Sequence, residues 1–207
     1  MNISWKVIGF ILAVIVFQII AYFGVELIEG EPHNVKRKID DRVPLIPWTG
    51  IIYSTWFPLI GFAPLVLYYG DFQVFRIYII AWIIDIILSS AAYLIYPTSF
   101  ERPPVKSGLI KAIYKVSFKQ INCAPSLHCS VSYLIIIGSI AAEGLSPVLA
   151  ALFIADSIGI CITTLTTKQH VIIDVLTAVP FAAVSWLIAV QLGAGANICN
   201  LFTFIAF

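Results

Sequence analysis

The chain has 207 residues, of which 60% are hydrophobic and 11% are charged. With a mean hydropathy of +0.99, this composition excludes a soluble globular domain and predicts a polytopic membrane protein. A net charge of +1 gives no reason to expect a nucleic-acid partner, and nothing in the sequence specifies an oligomeric state.

Six apolar stretches predict six membrane-spanning helices in one domain that fills residues 1–207. The first is expected to be a retained span, because it is long enough to cross and lacks a small-residue cleavage site. Turns rich in Pro, Gly or charge separate the stretches. They lie at about residues 5–26, 49–69, 73–96, 128–143, 147–165 and 170–192.

The loops after spans one, three and five are expected on one face of the membrane, because successive loops alternate sides. That face carries 10 of the 12 basic residues, and only Lys6 and Arg76 lie opposite. The asymmetry indicates either a cytoplasmic face or attraction of an anionic headgroup. The ten are Lys36, Arg37, Lys38, Arg42, Arg102, Lys106, Lys111, Lys115, Lys119 and Lys168.

Residues 105–121 predict a short basic amphipathic helix on the membrane surface. Lysines recur there every four residues, at Lys111, Lys115 and Lys119, with Leu109 and Ile113 among the apolar partners. The alternative is a solvated loop. The expected fold class is therefore all-α, a bundle of six transmembrane helices with one interfacial helix.

Two carboxylates, Asp85 and Asp156, fall within predicted spans and must face the protein interior. We favour a structural role, as hydrogen-bonded contacts between helices. Neither has a cation within its own span, and each lies about 12 Å or more from its nearest motif at 1.5 Å per residue. A functional role stays open.

The first motif, Asn122 to Ser130, places a histidine at the amino terminus of a predicted membrane helix. Pro125 suits the first turn of a helix, Ser126 can cap it, and His128 follows beside amides that can bind an anion. An incidental histidine in a capped helix is the alternative. A zinc site from Cys123, His128, Cys129 and His170 is disfavoured, because Cys129 should point away from His128 and the cysteine spacings are unusual for zinc.

The second motif, Thr163 to Asp174, places His170 and Asp174 four residues apart at the start of the last span. On a helix the two side chains would share a face. The aspartate could then accept the proton of one imidazole nitrogen and leave the other free to attack or to take a proton. The alternative is a histidine whose hydrogen bonds are satisfied and that has no chemical role. The Thr-rich segment that precedes it, which contains Lys168, argues against this alternative.

Both motifs resemble signatures of a known family. Pro125-Ser126-Leu127-His128 and the stretch Thr164 to Asp174 are similar to the second and third signatures of the type-2 phosphatidic acid phosphatase superfamily. The sequence Thr167-Lys168-Gln169-His170 resembles the third signature in the branch that contains inositol phosphorylceramide synthases. The segment Asp41 to Trp48 resembles the proline-rich segment that precedes the second span in that branch. The resemblance covers roughly residues 40–190.

The chain departs from the family pattern at two cationic positions. The first signature has a lysine seven residues before an Arg-Pro pair, and here Arg102-Pro103 supplies the pair but Ile95 stands upstream. The third signature has an arginine six residues before its histidine, where this chain has Thr164. Lys168 is the nearest replacement, with Lys106 in reserve.

The resemblance implies a metal-independent lipid phosphatase or phosphotransferase with no cofactor, in which His170 attacks phosphorus, Asp174 orients it and His128 is the general acid. Water as acceptor gives a phosphatase, and a lipid hydroxyl gives a transferase. The missing cations motivate an alternative, an inactive protein that binds or moves lipid. The phosphoryl oxygens would be neutralised by Arg102, Lys168, Ser126 and amides near His128.

The expected location is a cell membrane, where the protein's partners are the bilayer and a phosphorylated lipid. The positive-inside rule puts the basic face in the cytoplasm, whereas the resemblance implies an external or lumenal site. Five of the ten basic residues could serve the substrate phosphate or headgroup attraction, which leaves five against two. We favour the external orientation.

Overall fold

The computed structural model describes residues 4–28, 30–116, 119 and 121–193. Within these ranges the chain is all-α apart from one pair of two-residue strands, β1 (His33–Asn34) and β2 (Thr98–Ser99), which run parallel. Two short 3₁₀ helices span Lys38–Arg42 and Pro47–Thr49. The α-helices are α1 (Trp5–Val25), α2 (Gly50–Ser54), α3 (Trp56–Gly70), α4 (Phe72–Ile95), α5 (Gly108–Val116), α6 (Leu127–Ala141), α7 (Pro147–Thr166) and α8 (Ile172–Gly193).

Five helical segments of the described chain are long and apolar enough to cross a membrane: α1, Pro47–Gly70, α4, α7 and α8. The protein is therefore a multi-pass membrane protein. The predicted count of six spans is not confirmed, because α6 has only 15 residues and is about 22 Å long at 1.5 Å per residue. That length is shorter than a hydrocarbon core of about 30 Å.

The second span, predicted as one helix over about residues 49–69, is broken at Thr55 between α2 and α3. Pro58 has no amide hydrogen to donate to the carbonyl of Ser54, four residues earlier. The hydroxyls of Ser54 and Thr55 bond back to the carbonyls of Gly50 and Ile52, at 2.7 and 2.6 Å, and such bonds bend helices. The backbone of Thr55 itself remains in the helical region.

Helix α4 is central to the bundle, because α1, α3, α6 and α8 all pack against it. Its largest side chains, Phe75, Tyr78 and Trp82, are fully buried. A side-chain bond of 2.6 Å from the indole of Trp82 to Gln18 also joins α4 to α1. Such bonds between helices stabilise a bundle in lipid, where the hydrophobic effect does not drive helices together.

The two intramembrane carboxylates join helices, as predicted. Asp85 accepts a 2.6 Å hydrogen bond from the hydroxyl of Ser130, and Asp156 accepts one of 2.8 Å from Thr55. The expectation that Asp85 is remote from both motifs is wrong. Helix α6 packs against α4, so Ser130, the last residue of the first motif, comes to Asp85 from a neighbouring helix.

The loops after α1, α4 and α7 meet on one face, which confirms the predicted arrangement of these loops. Strand β1 from the first loop pairs with β2 from the second. The amide of Ile46, in the first loop, donates to the carbonyl of Thr166 at the end of α7, at 2.9 Å. These contacts carry both motifs to the same end of the bundle.

The amphipathic segment predicted over 105–121 is helical over a shorter range, in α5, which favours the helix over the solvated loop. Its buried side chains, Ile110 and Ile113, pack on the start of the second span, where a Cβ on Gly50 would come within 3.0 Å of Ile113. Lys111 and Lys115 are exposed. The ammonium of Lys119 donates to the carbonyl of Glu26 at 2.7 Å, and residues 117, 118 and 120 lie outside the described residues.

At the opposite end of the bundle, Gly144 is expected to tolerate no side chain. A Cβ there would lie 2.0 Å from the backbone oxygen of Gly70, so Gly144→Ala must displace one of two backbones. We expect a loss of about 1–3 kcal/mol in the free energy of unfolding, measured as a lower Tm in detergent. Gly61→Ala is the matched control, because nothing lies within 4 Å of that position. An unchanged Tm for Gly144→Ala would contradict this packing.

Candidate active site

The two histidine motifs are joined by a backbone hydrogen bond. The amide of Ser126, which precedes α6, donates to the carbonyl of Asp174 in the first turn of α8 at 3.1 Å. The ring centroids of His128 and His170 lie 5.8 Å apart. The structure therefore brings together the two histidines and the aspartate that the sequence singled out.

The imidazole of His170 is held through one nitrogen. Its Nδ1 lies 3.1 Å from the carbonyl oxygen of Cys123 and 3.2 Å from Oδ2 of Asp174. A carbonyl and a carboxylate only accept hydrogen bonds, so Nδ1 must carry the proton. In the neutral ring the lone pair is then on Nε2, the nitrogen that is required for attack on phosphorus.

One expectation about this motif is wrong: His170 is not on the helix. Helix α8 begins at Ile172, so His170 lies in the turn before it, and the contact with Asp174 does not arise from a shared helix face. The physical reason is capping. Oδ2 of Asp174 accepts the amide of Val171 at 3.0 Å as well as the bond from His170, and this fixes the turn in front of the helix.

Asp40, which the sequence analysis did not single out, supports the same helix start. Its Oδ1 accepts the amide of Ile172 at 2.9 Å, and its Oδ2 accepts the amide of Arg37 at 2.7 Å. A carboxylate at a helix amino terminus is also favoured by the helix dipole. The partner is 132 residues away, so no local spacing indicates it.

His128 lies between two aromatic rings of the broken second span. Its Nε2 is 2.9 Å from the hydroxyl of Tyr53, and its ring centroid is 4.9 Å from that of Tyr53 and 4.3 Å from that of Trp56. Both aromatic residues are buried. Sequence reasoning missed Tyr53, because a tyrosine in an apolar span is ordinary.

Arg102 is a basic side chain that lines the same cavities as His170. Its Nη2 donates to Oε1 of Gln169 at 2.9 Å, and its guanidinium carbon lies 4.9 Å from the ring centroid of Tyr114. Burial lowers the pKa of Arg102, yet a guanidinium keeps its proton in proteins. A permanent positive charge is thus held beside His170 by Gln169, the residue before it.

Lys168 occupies a position at which helices usually have glycine. Its φ is 57°, and the amides of Lys168 and Gln169 close the end of α7 on the carbonyls of Leu165 and Thr164 at 3.1 and 2.9 Å, which is a Schellman motif. The left-handed conformation costs a lysine about 1–2 kcal/mol. A side chain that is retained at such a cost indicates a role for that side chain.

The ammonium of Lys168 clamps the first loop, since it donates to the carbonyls of Asp40 and Val43 at 2.9 and 2.6 Å. An ammonium has three hydrogens, so one remains for another acceptor. Burial lowers its pKa, the positive charge of Lys36 lowers it further, and Asp40 and Asp41 raise it. Its predicted role at a phosphate stays a prediction.

Ser126 is fully buried and caps α6, because its hydroxyl oxygen accepts the amide of Cys129 at 3.4 Å. Helix α6 begins at Leu127, so Pro125 lies before the cap. The sequence-based expectation that Pro125 lies in the first turn of the helix is wrong. Neither cavity described below has Ser126 in its lining. Its direct contact with phosphate stays a prediction.

The thiol of Cys129 faces α7, where its sulfur lies 3.7 Å from the hydroxyl of Thr164. His128, the preceding residue, contacts Tyr53 and Trp56 instead. Among the described residues, no three His, Cys, Asp or Glu side chains are grouped so that they could hold a metal ion.

Two cavities meet at His170 and Arg102, which line both. One, of about 440 Å³, is mostly apolar and runs between α1, α3 and α5; it includes His128 and the half-exposed Phe23 and Phe57. The other, of about 570 Å³, is the more polar of the two, is called the polar cavity below, and lies among the loops. Its charged lining is Lys36, Asp40, Asp41, Glu101, Arg102 and Lys168.

Comparisons of the chain with protein-family models, with curated proteins and with solved structures return no match.

Lys168 gives a testable pair of variants. We expect Lys168→Ala to lose the clamp and keep the strained backbone, whereas Lys168→Gly loses the clamp and relieves the strain. The glycine variant should therefore be more stable by about 1 kcal/mol, measured by thermal unfolding. Equal stabilities would contradict the strain argument.

The same side chain predicts a pH effect on any turnover. Because burial lowers the pKa of Lys168, its charge is lost at a lower pH than that of a free lysine. We expect the rate to fall as the pH rises on the alkaline side of the profile. In Lys168→Arg, whose side chain stays charged, this fall should occur at a higher pH. Unchanged turnover and apparent affinity in Lys168→Ala would exclude an electrostatic role.

Proposed function

We propose that the chain is an integral-membrane lipid phosphatase or phosphotransferase that acts on a phosphorylated lipid headgroup through a phosphohistidine intermediate. One observation carries the proposal: Nδ1 of His170 is fixed by two acceptors, so its Nε2 has the lone pair where an apolar and a polar cavity meet beside Arg102. A histidine that served only packing would need neither the carboxylate nor the cation.

In the first half of the reaction, Nε2 of His170 attacks phosphorus and the bond to the leaving oxygen breaks. Asp174 stabilises the positive charge that develops on the imidazole. His128, protonated on both ring nitrogens before the step, supplies the proton that the leaving oxygen takes up and becomes neutral. The guanidinium of Arg102 and the third hydrogen of Lys168 neutralise the phosphoryl oxygens, which is where most of the rate enhancement arises.

In the second half, an acceptor oxygen attacks the phosphohistidine and the electron pair of the P–N bond returns to Nε2 of His170. The acceptor's proton goes back to His128. Water as acceptor makes the protein a lipid phosphatase, and a lipid hydroxyl makes it a phosphotransferase. No metal or cofactor takes part in this scheme.

The cavities suit an amphipathic substrate. The apolar cavity reaches the half-exposed side chains of Ile19, Phe23 and Phe57, on helices long enough to cross the bilayer. An acyl chain in it would bury apolar surface while its phosphate lies at His170. The polar cavity would take the headgroup or the incoming water.

A second candidate is the same fold without chemistry, as a protein that binds or moves lipid. It is favoured by the state of two predicted phosphate ligands: Ser126 already caps α6 and Lys168 already donates to two carbonyls. Ile95 and Thr164 also stand where the resembled family has cations. Turnover decides between the two candidates.

The purified protein, given a phosphorylated lipid in detergent, is expected to release phosphate or a transferred product at a rate that a chelator does not change. His170→Ala should abolish this turnover, and Asp174→Asn should lower kcat by about 100-fold or more. Both variants should remain folded and inserted in the membrane. No turnover with any phosphorylated lipid would favour the lipid binder, and near-normal turnover in Asp174→Asn would exclude the orienting role.

We also propose that the face with both motifs is external or lumenal, in a cell membrane crossed several times. Asn34 is exposed and lies at the rim of the polar cavity. A membrane-impermeant thiol reagent should label Asn34→Cys on intact cells, in a variant from which the native cysteines have been removed. Labelling only after permeabilisation would place this face in the cytoplasm.

A further inference from the structure

The hydroxyl of Tyr53 is the hydrogen-bond partner of His128. It lies 2.9 Å from Nε2, and the Tyr53 side chain is 4% exposed at the end of the short helix α2. The nearby break at Thr55 separates α2 from the rest of the span. Ile110 and Ile113 of α5 also pack with Tyr53, so packing as well as the hydrogen bond holds the ring in place.

This contact affects the proposed general acid directly. Nε2 is the ring nitrogen farther from the backbone, and the hydroxyl already occupies it. A leaving oxygen that approached Nε2 would meet the phenol first. Tyr53, His128 and His170 all line the apolar cavity, in which the proposed substrate would lie.

We propose that Tyr53 relays the proton between His128 and the leaving oxygen, an inference that rests on the phosphohistidine mechanism proposed above. As the phosphorus–oxygen bond breaks, the leaving oxygen takes the phenolic proton of Tyr53. Tyr53 takes the proton on Nε2 of His128 at the same time. The products are a free alcohol, a neutral His128, an intact phenol and phosphorylated His170.

The second half-reaction runs the relay backwards. The acceptor oxygen gives its proton to Tyr53 while it bonds to phosphorus, and Tyr53 returns its own proton to Nε2 of His128. The phosphorus–nitrogen bond breaks and its electron pair returns to His170. All protons are then back in place, and the phenol carries no net charge at either stage, which suits a group that is buried.

A purely structural role for Tyr53 makes a different prediction. The imidazole of His128 is flanked by the rings of Tyr53 and Trp56, and Tyr53→Phe keeps this packing while it removes only the hydroxyl. If the hydroxyl merely orients His128, one proton moves as the alcohol leaves, and the rate for the wild-type protein falls linearly with the deuterium fraction in mixtures of H2O and D2O. If it relays a proton, two protons move together and the same plot is curved.

The test compares two leaving groups under single-turnover conditions. One substrate is a long-chain alkyl phosphate, whose alcohol must be protonated to leave, and the other is an alkyl-substituted nitrophenyl phosphate, whose phenolate leaves without a proton. We expect Tyr53→Phe to slow alcohol release by about 100-fold or more and nitrophenol release by less than about threefold. Tyr133→Phe is the matched control, because Tyr133 lies on α6 with His128 but its hydroxyl bonds to Val175.

A second measurement guards against a folding defect. In a His128→Ala background, adding Tyr53→Phe should cause no further loss with the alkyl substrate, because members of one relay are not additive. A linear dependence of the wild-type rate on the deuterium fraction, equal losses with both leaving groups, or no loss with either would overturn the relay while the phosphohistidine mechanism stands. If the wild-type protein releases neither the alkyl alcohol nor the nitrophenol, both the mechanism and the relay fail.

Discussion

The site depends on how the amino terminus of α8 is capped. The amide of Val171 is held by Asp174 and the amide of Ile172 by Asp40, so two carboxylates satisfy donors that a helix start leaves open. Asp174 holds Nδ1 of His170 with the same oxygen that holds the amide. One carboxylate thus fixes both the backbone in front of α8 and the tautomer of the imidazole.

The end of α7 completes this arrangement, because Thr164 has a structural role there. Thr164 is fully buried, its hydroxyl bonds back to the carbonyl of Cys161, and its own carbonyl accepts the amides of Gln169 and His170. An arginine in this place would have to bury an unpaired charge. In this chain the cation beside His170 comes from the loop after α4, as Arg102, which Gln169 holds at 2.9 Å.

The sequence predicted the parts of this structure that depend on local pattern. Hydropathy located the helices to within a few residues, and the apolar spacing in 105–121 indicated α5. The sequence also singled out His128, His170 and Asp174, which the structure brings together. It did not indicate Tyr53 or Asp40, because their contacts cross 75 and 132 residues and neither lies in a motif. The sequence pattern placed His170 on α8, because periodicity does not show that the side chain of Asp174, four residues later, caps the turn in front of the helix.

Under the proposed mechanism, the two cavities bear on which acceptor, water or a lipid hydroxyl, reaches the phosphorylated histidine. The polar cavity reaches His170 from the loops, whereas His128, the proposed general acid, and Tyr53 line the apolar cavity. Desolvation on that side strengthens the attraction between Arg102 and a phosphoryl group. The acidic lining of the polar cavity, Asp40, Asp41 and Glu101, is matched by three basic side chains, Lys36, Arg102 and Lys168. Under the proposed mechanism, the choice between hydrolysis and transfer is therefore a competition between water in the polar cavity and a lipid hydroxyl in the apolar one, for the same phosphorus atom.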